Sequence, residues 1–122
     1  MKTILVVDDD TTILQVIFDA LEDHYKVHLA ESVAKAEEVI TQNGIDLLIT
    51  DLVMPDKNGI DMIMASRKQY PAMKIMAISG GGGITGRFDY LPIAKLVGAE
   101  ITIKKPFSIA ELRKNVSRLI GN

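Results

Sequence analysis

The 122-residue sequence predicts an α/β fold: a five-stranded parallel sheet with helices on both faces, a doubly wound arrangement. Three observations carry that expectation. Short apolar runs alternate with helical stripes along the whole chain, the pattern of repeated βα units. Three of the runs, Ile4-Leu5-Val6-Val7, Leu47-Leu48-Ile49 and Ile75-Met76-Ala77-Ile78, are uniformly apolar, as strands covered on both faces should be. Two others, Lys26-Val27-His28-Leu29-Ala30 and Ile101-Thr102-Ile103, alternate, as edge strands do. Placing the alternating pair at the two edges gives the strand order 2-1-3-4-5.

The elements follow in order. The first strand stops at Asp8-Asp9-Asp10, after which Asp10, Thr11 and Thr12 are all able to cap a helix. Ile13, Val16, Ile17, Ala20 and Leu21 recur at the spacing of one helical face. After the second strand, Ser32 caps a helix with Ala36, Val39 and Ile40 on its apolar side, and Gly44 occupies the place of a C-terminal glycine. The third strand ends at Asp51, and Pro55-Asp56-Lys57-Asn58-Gly59 reads as a turn. Ile60, Ile63 and Met64 open a third helix, which Pro71 ends. The fourth strand ends at Ser79, and Gly80 to Gly83 with Gly86 make a loop suited to backbone movement. A fourth helix fits Leu91 to Val97, with Pro92 tolerated in its first turn and Gly98 after its end. The fifth strand runs into Lys104-Lys105. Ser108-Ile109-Ala110-Glu111 is a capping box, and Ile109, Leu112, Val116, Leu119 and Ile120 form the last stripe.

Composition narrows the function classes. Hydrophobic residues make up 48% and charged residues 25%, which is ordinary for a globular domain and argues against disorder. The length predicts one domain spanning residues 1–122, with no output domain. Lys and Arg total 14 against 16 Asp and Glu, a net charge of -2, so no basic surface invites direct nucleic-acid binding. Cysteine is absent, which excludes disulfides, thiolate metal sites and a cysteine nucleophile. No apolar run reaches the roughly 18 residues of a membrane-spanning helix, and Met1-Lys2-Thr3 leads straight into a strand. The expectation is a cytoplasmic protein without membrane insertion.

In a doubly wound sheet, ligands sit beyond the C-terminal ends of the strands. Those ends carry Asp8 and Asp9, Asp51, Ser79, and Lys104 and Lys105. Three carboxylates brought together repel one another, and a hard divalent cation relieves the repulsion. An all-oxygen donor set without cysteine or a nearby histidine favours Mg²⁺ over zinc. A lysine and a hydroxyl beside the cation suit phosphate oxygens, and a carboxylate can itself accept a phosphoryl group as an acyl phosphate.

These residues resemble the receiver domain of bacterial two-component response regulators, the CheY-like, flavodoxin-like (βα)5 family. The matching segments are Ile4-Leu5-Val6-Val7-Asp8-Asp9, Leu48-Ile49-Thr50-Asp51-Leu52-Val53-Met54-Pro55, Asn58-Gly59, Ala77-Ile78-Ser79 and Lys105-Pro106-Phe107, in family order along the whole chain. The resemblance implies that Asp51 accepts a phosphoryl group from a sensor histidine kinase or a histidine phosphotransfer protein. It implies that Asp8, Asp9, Asp51 and the Val53 carbonyl hold Mg²⁺. Lys105, next to a cis Lys105-Pro106 bond, would bind the acyl phosphate, and Ser79 would move toward it. The implied protein is not an enzyme acting on other molecules. It is a phosphoprotein of a phosphorelay that promotes its own phosphorylation and dephosphorylation and presents a changed surface to a downstream protein. The stand-alone type is expected; a receiver excised from a larger transcription factor or enzyme is the alternative.

Some positions depart from the family pattern. Thr102 stands where many receivers carry Tyr or Phe, and Phe88 and Tyr90 are the aromatic residues able to substitute. Val53 is apolar where a polar side chain is common. Gly81-Gly82-Gly83-Ile84-Thr85-Gly86 matches a dinucleotide-binding spacing, but it follows the fourth strand and the next strand ends in lysines. A nucleotide-binding α/β enzyme is therefore the alternative from another class. His24 and His28 read as isolated surface or edge residues, and Met54, Met62, Met64, Met73 and Met76 as core filling.

Overall fold

The computed structural model describes residues 1–54, 58–80 and 91–121. The Pro55 to Lys57 part of the predicted turn, Gly81 to Gly86, Phe88 and Tyr90 lie outside the described residues. The elements are β1 (Thr3–Val7), α1 (Thr11–Leu21), β2 (Lys26–Ala30), α2 (Val33–Gln42), β3 (Leu47–Asp51), α3 (Gly59–Gln69), β4 (Lys74–Ser79), α4 (Leu91–Val97), β5 (Ile101–Lys104) and α5 (Ile109–Ile120). All adjacent strands are parallel, in the order β2-β1-β3-β4-β5 expected from the patterning.

The uniformly apolar strands supply both faces of the sheet. Leu5, Val7, Leu48, Ile75 and Ala77 join α2, α3 and α4 in one core. Their neighbours Ile4, Val6, Leu47, Ile49, Met76 and Ile78 join α1 and α5 in the other. Alternation of side chains along each strand produces this division. Burying one such aliphatic side chain contributes about 1.5–3 kcal/mol, so the central strands resist displacement and hold their ends in place.

Local details differ from the sequence patterns. Asp10 caps α1 by accepting a hydrogen bond from Thr12 N at 2.9 Å, and Thr11 is already helical. The buried face of α1 is centred on Leu14, Ile17, Ala20 and Leu21, leaving Val16 exposed. On α3, Ile60, Met62, Ile63 and Ser66 face inward and Met64 faces solvent. A stripe wider than one sheet face has to choose which residues meet it, and packing makes that choice. Gly44 does not adopt a left-handed conformation; α2 ends at Asn43, whose Nδ2 donates to the Val39 carbonyl at 2.9 Å.

The N-terminal ends of β4 and β5 are tied together by one arginine. Arg67, near the end of α3, donates to the carbonyls of Pro71, Met73 and Gly98 and to both carboxylate oxygens of Glu100. Glu100 in turn accepts from Ile75 N at 2.8 Å. Gly98 has φ +143°, which favours glycine, and an added Cβ would press on the Arg67 side chain at 3.1 Å from Nε. This network joins β4 and β5 at the end of the sheet opposite the acidic residues.

Candidate functional site

The site forms where β1, β3 and β4 stop. Asp8 directly follows β1 and is 2% exposed. Its Oδ1 accepts from Asp10 N at 2.9 Å, so the residue that caps α1 also orients Asp8. Asp9 is exposed at the mouth. Asp51, the last residue of β3, is 8% exposed, and its Oδ1 accepts from Leu52 N at 2.9 Å. Ser79 ends β4 and is buried; its carbonyl accepts from Lys105 N at 2.8 Å, coupling the ends of β4 and β5. The Lys105-Pro106 peptide is cis. Lys105 Nζ lies 2.9 Å from Asp8 Oδ2 and 3.6 Å from Asp51 Oδ2.

The electrostatics follow from burial. Removal from water pushes the Asp51 carboxyl from an ordinary 3.8 up to about 6. Lys105 opposes that rise, while the charges of Asp8 and Asp9 add to it. Burial alone would lower the Lys105 pKa, but its hydrogen bond to Asp8 and the charge of Asp51 outweigh that, and the pKa ends above the usual lysine value. Lys105 is therefore a firm ammonium between two carboxylates.

Carboxylate oxygens of Asp8, Asp9 and Asp51 all lie within 4.8 Å of one another. This hard, all-oxygen set fits a divalent cation such as Mg²⁺, which would neutralise the charge that Lys105 cannot. Val53 sits two residues beyond Asp51, bridges Asn58 in antiparallel fashion and is 59% exposed. Lys104 is exposed, as befits the neighbour rather than the site lysine. Asp8, Asp9, Asp51, Ser79 and Lys105 thus gather at one end of the sheet, with Val53 beside them.

Two further residues support Asp51: Gly59, which reads from the sequence as a turn residue, and Thr50, which has no separate role there. Gly59, the first residue of α3, donates to the Leu52 carbonyl at 3.0 Å. A Cβ there would fall 2.6 Å from the Asp51 carbonyl oxygen and 2.8 Å from Leu52 Cα, so only glycine lets α3 start against the end of β3. Thr50 is fully buried, and its hydroxyl donates to the Asp51 carbonyl at 2.7 Å. The available signal for Thr50 is a hydroxyl directly after the apolar run Leu47-Leu48-Ile49.

The sequence model of the response regulator receiver domain matches residues 4–117, and the chain belongs to that family. It is 32% identical over 128 residues to the DNA-binding transcriptional regulator NtrC of Bradyrhizobium sp. (strain RP501 Parasponia), covering 98% of this chain and 24% of the relative. It is 33% identical over 122 residues to the sensor histidine kinase TmoS of Ectopseudomonas mendocina, covering 97% of this chain and 12% of the relative. The chain therefore spans a quarter or less of the length of these relatives. The crystal structure of a response regulator receiver domain protein from Clostridium thermocellum superposes with a TM-score of 0.87 at 32% identity, covering 98% of this chain and 94% of that one. Receiver domains bind Mg²⁺ at an acidic pocket of this kind and serve phosphorelays. Among the described residues, no helix is long and apolar enough to cross a membrane.

Proposed function

We propose that Asp51 is the phosphoryl acceptor of this receiver and that the donor is a histidine kinase or a histidine phosphotransfer protein. One observation carries the reading: the Lys105 ammonium lies 2.9 Å from Asp8 and 3.6 Å from Asp51 at the rim of a three-carboxylate cluster. Asp8, Asp9, Asp51 and the Val53 carbonyl would hold Mg²⁺. When bound, that ion supplies charge neutralisation for the carboxylates and the phosphoryl oxygens.

A carboxylate oxygen of Asp51 attacks phosphorus and forms the acyl phosphate bond. The P–N bond to the donor histidine breaks, and its electron pair leaves with the imidazole. Lys105 exchanges part of its contact with Asp8 and Asp51 for a phosphoryl oxygen, and Ser79 donates its hydroxyl to another. The acyl phosphate carries about -1.5 to -2 charges in place of the carboxylate's single one, which biases the surface of α4, β5 and α5 between two arrangements. A protein partner in the cytoplasm reads that surface. The chain acts as a signalling domain whose chemistry is confined to its own aspartate.

The test is Mg²⁺-dependent labelling by acetyl phosphate. A hydroxylamine-sensitive adduct of one phosphoryl group on the native chain, lost in Asp51→Asn, is the expected result. Labelling that persists in Asp51→Asn would overturn the assignment of the acceptor.

A further inference from the structure

We propose that Thr50 is a positioning residue for Asp51, acting through the peptide group that joins Asp51 to Leu52. This inference rests on the phosphoryl-acceptor reading above. Thr50 is 0% exposed, and its strand neighbours are Val7 on β1 and Ala77 on β4. Both neighbours are buried members of the apolar core beneath α2, α3 and α4. A hydroxyl is poorly suited to such a place unless it is hydrogen-bonded, and a valine would fill the same space. The hydroxyl is bonded, to the Asp51 carbonyl oxygen at 2.7 Å.

The same peptide group is held at its other end. Its N–H, that of Leu52, donates to Asp51 Oδ1 at 2.9 Å. Behind it, Gly59 donates to the Leu52 carbonyl at 3.0 Å, and α3 starts so close that a Cβ at Gly59 would fall 2.6 Å from the Asp51 carbonyl oxygen. Thr50 therefore holds the carbonyl, and the carbonyl sets the direction of the N–H. The N–H in turn fixes the plane of the Asp51 carboxylate. With Oδ1 occupied this way, Oδ2 is the oxygen turned toward Lys105, at 3.6 Å. Without the hydroxyl, the peptide plane loses one of its restraints and the carboxylate samples orientations from which phosphorus is out of line.

The step affected is the transfer itself. With acetyl phosphate as donor, an Asp51 carboxylate oxygen forms the new P–O bond, the donor's acyl P–O bond breaks, and acetate leaves with the electron pair. A misdirected nucleophile lowers the first-order rate while leaving donor binding alone, and misplacement of this kind costs up to about 100-fold.

The experiment compares the native chain with Thr50→Ser, Thr50→Val and Thr50→Ala under saturating Mg²⁺, over a range of acetyl phosphate concentrations. Serine keeps the hydroxyl and loses the methyl group, valine does the reverse, and alanine lacks both. The expected order of maximal rate is native close to Ser, with Val and Ala roughly ten-fold or more slower. The half-saturating donor concentration stays within about two-fold throughout, and the Leu52 amide resonance moves in Val and Ala but not in Ser. An order set by bulk, with Val like the native chain and Ser like Ala, overturns the proposal, and so does a Val variant that labels at the native rate. A native chain that does not label at all overturns the phosphoryl-acceptor reading, and this proposal with it.

Discussion

Replacing Asp51 by asparagine should stabilise the protein when no divalent cation is present. Burial holds the ionised Asp51 in an unfavourable state, raising its carboxyl from 3.8 to about 6. At about 1.4 kcal/mol for each tenfold change in acidity, this sets an upper bound of about 3 kcal/mol on the cost. Water at the pocket mouth beside the exposed Asp9 screens part of it, so about 1–2 kcal/mol remains for the variant to recover. The sign depends on pH. An unfolded aspartate loses its proton near pH 4, whereas folded Asp51 keeps it up to about pH 6. Between those values the native state binds more protons, so native stability falls as pH rises. The penalty is absent below about pH 4 and complete above about pH 7. Asparagine carries no such penalty. Thermal unfolding in EDTA at pH 4, 5, 6 and 7 should show a Tm gap that opens from near zero to about 4–8 °C in favour of Asp51→Asn. Mg²⁺ at about ten times its Kd should then add about 1.4 kcal/mol to the native chain and less to the variant, narrowing the gap at pH 7. A gap that does not change with pH, or a native chain that melts higher than the variant at pH 7 in EDTA, would refute the reasoning.

Four other outcomes follow from the same geometry. Lys105→Met leaves Asp8 and Asp51 facing each other without their shared ammonium, so it should cost about 2 kcal/mol in urea unfolding at pH 7 and less at pH 5, where Asp51 takes up a proton. Gly59→Ala drives a methyl group into the Asp51 carbonyl at 2.6 Å, and a loss of about 1–3 kcal/mol with slower phosphorylation is expected; native behaviour on both counts would show that α3 can shift. Val53→Asn adds a polar group at the exposed rim able to hold a water, so the acyl phosphate should decay several-fold faster when its lifetime is followed after donor removal. Arg67→Met breaks the network that joins β4 and β5 at the far end of the sheet, with an expected cost of about 2–3 kcal/mol, while the half-saturating donor concentration of the folded fraction stays unchanged. A shift in that concentration would link the two ends of the sheet.

Much of the fold was legible because a parallel strand buried on both faces leaves a distinct trace. Ile4 to Val7 and Ile75 to Ile78 contribute alternate side chains to two cores, and a sequence meeting that demand is apolar throughout. His28 and Thr102 broke the runs of β2 and β5, and those strands lie at the edges. The helices were readable as helices but not as faces. Val16 and Met64 fit the periodicity of their helices and yet face solvent, because residues on either side of a stripe compete for the same contact with the sheet.

The sequence by itself determined which chemical groups stand at the ends of the strands: three carboxylates, a hydroxyl and a lysine. Their convergence followed from strand order alone, since β1, β3, β4 and β5 lie side by side with parallel ends. The tertiary structure decided what those groups do to one another. It placed Lys105 between Asp8 and Asp51, spent Asp8 Oδ1 on the Asp10 amide, and raised Asp51 through burial. It also made Thr50 and Gly59 part of the support for Asp51. Hydrogen bonds of this kind depend on ångström-scale distances between residues whose separation is set by packing, and no spacing along the chain encodes them.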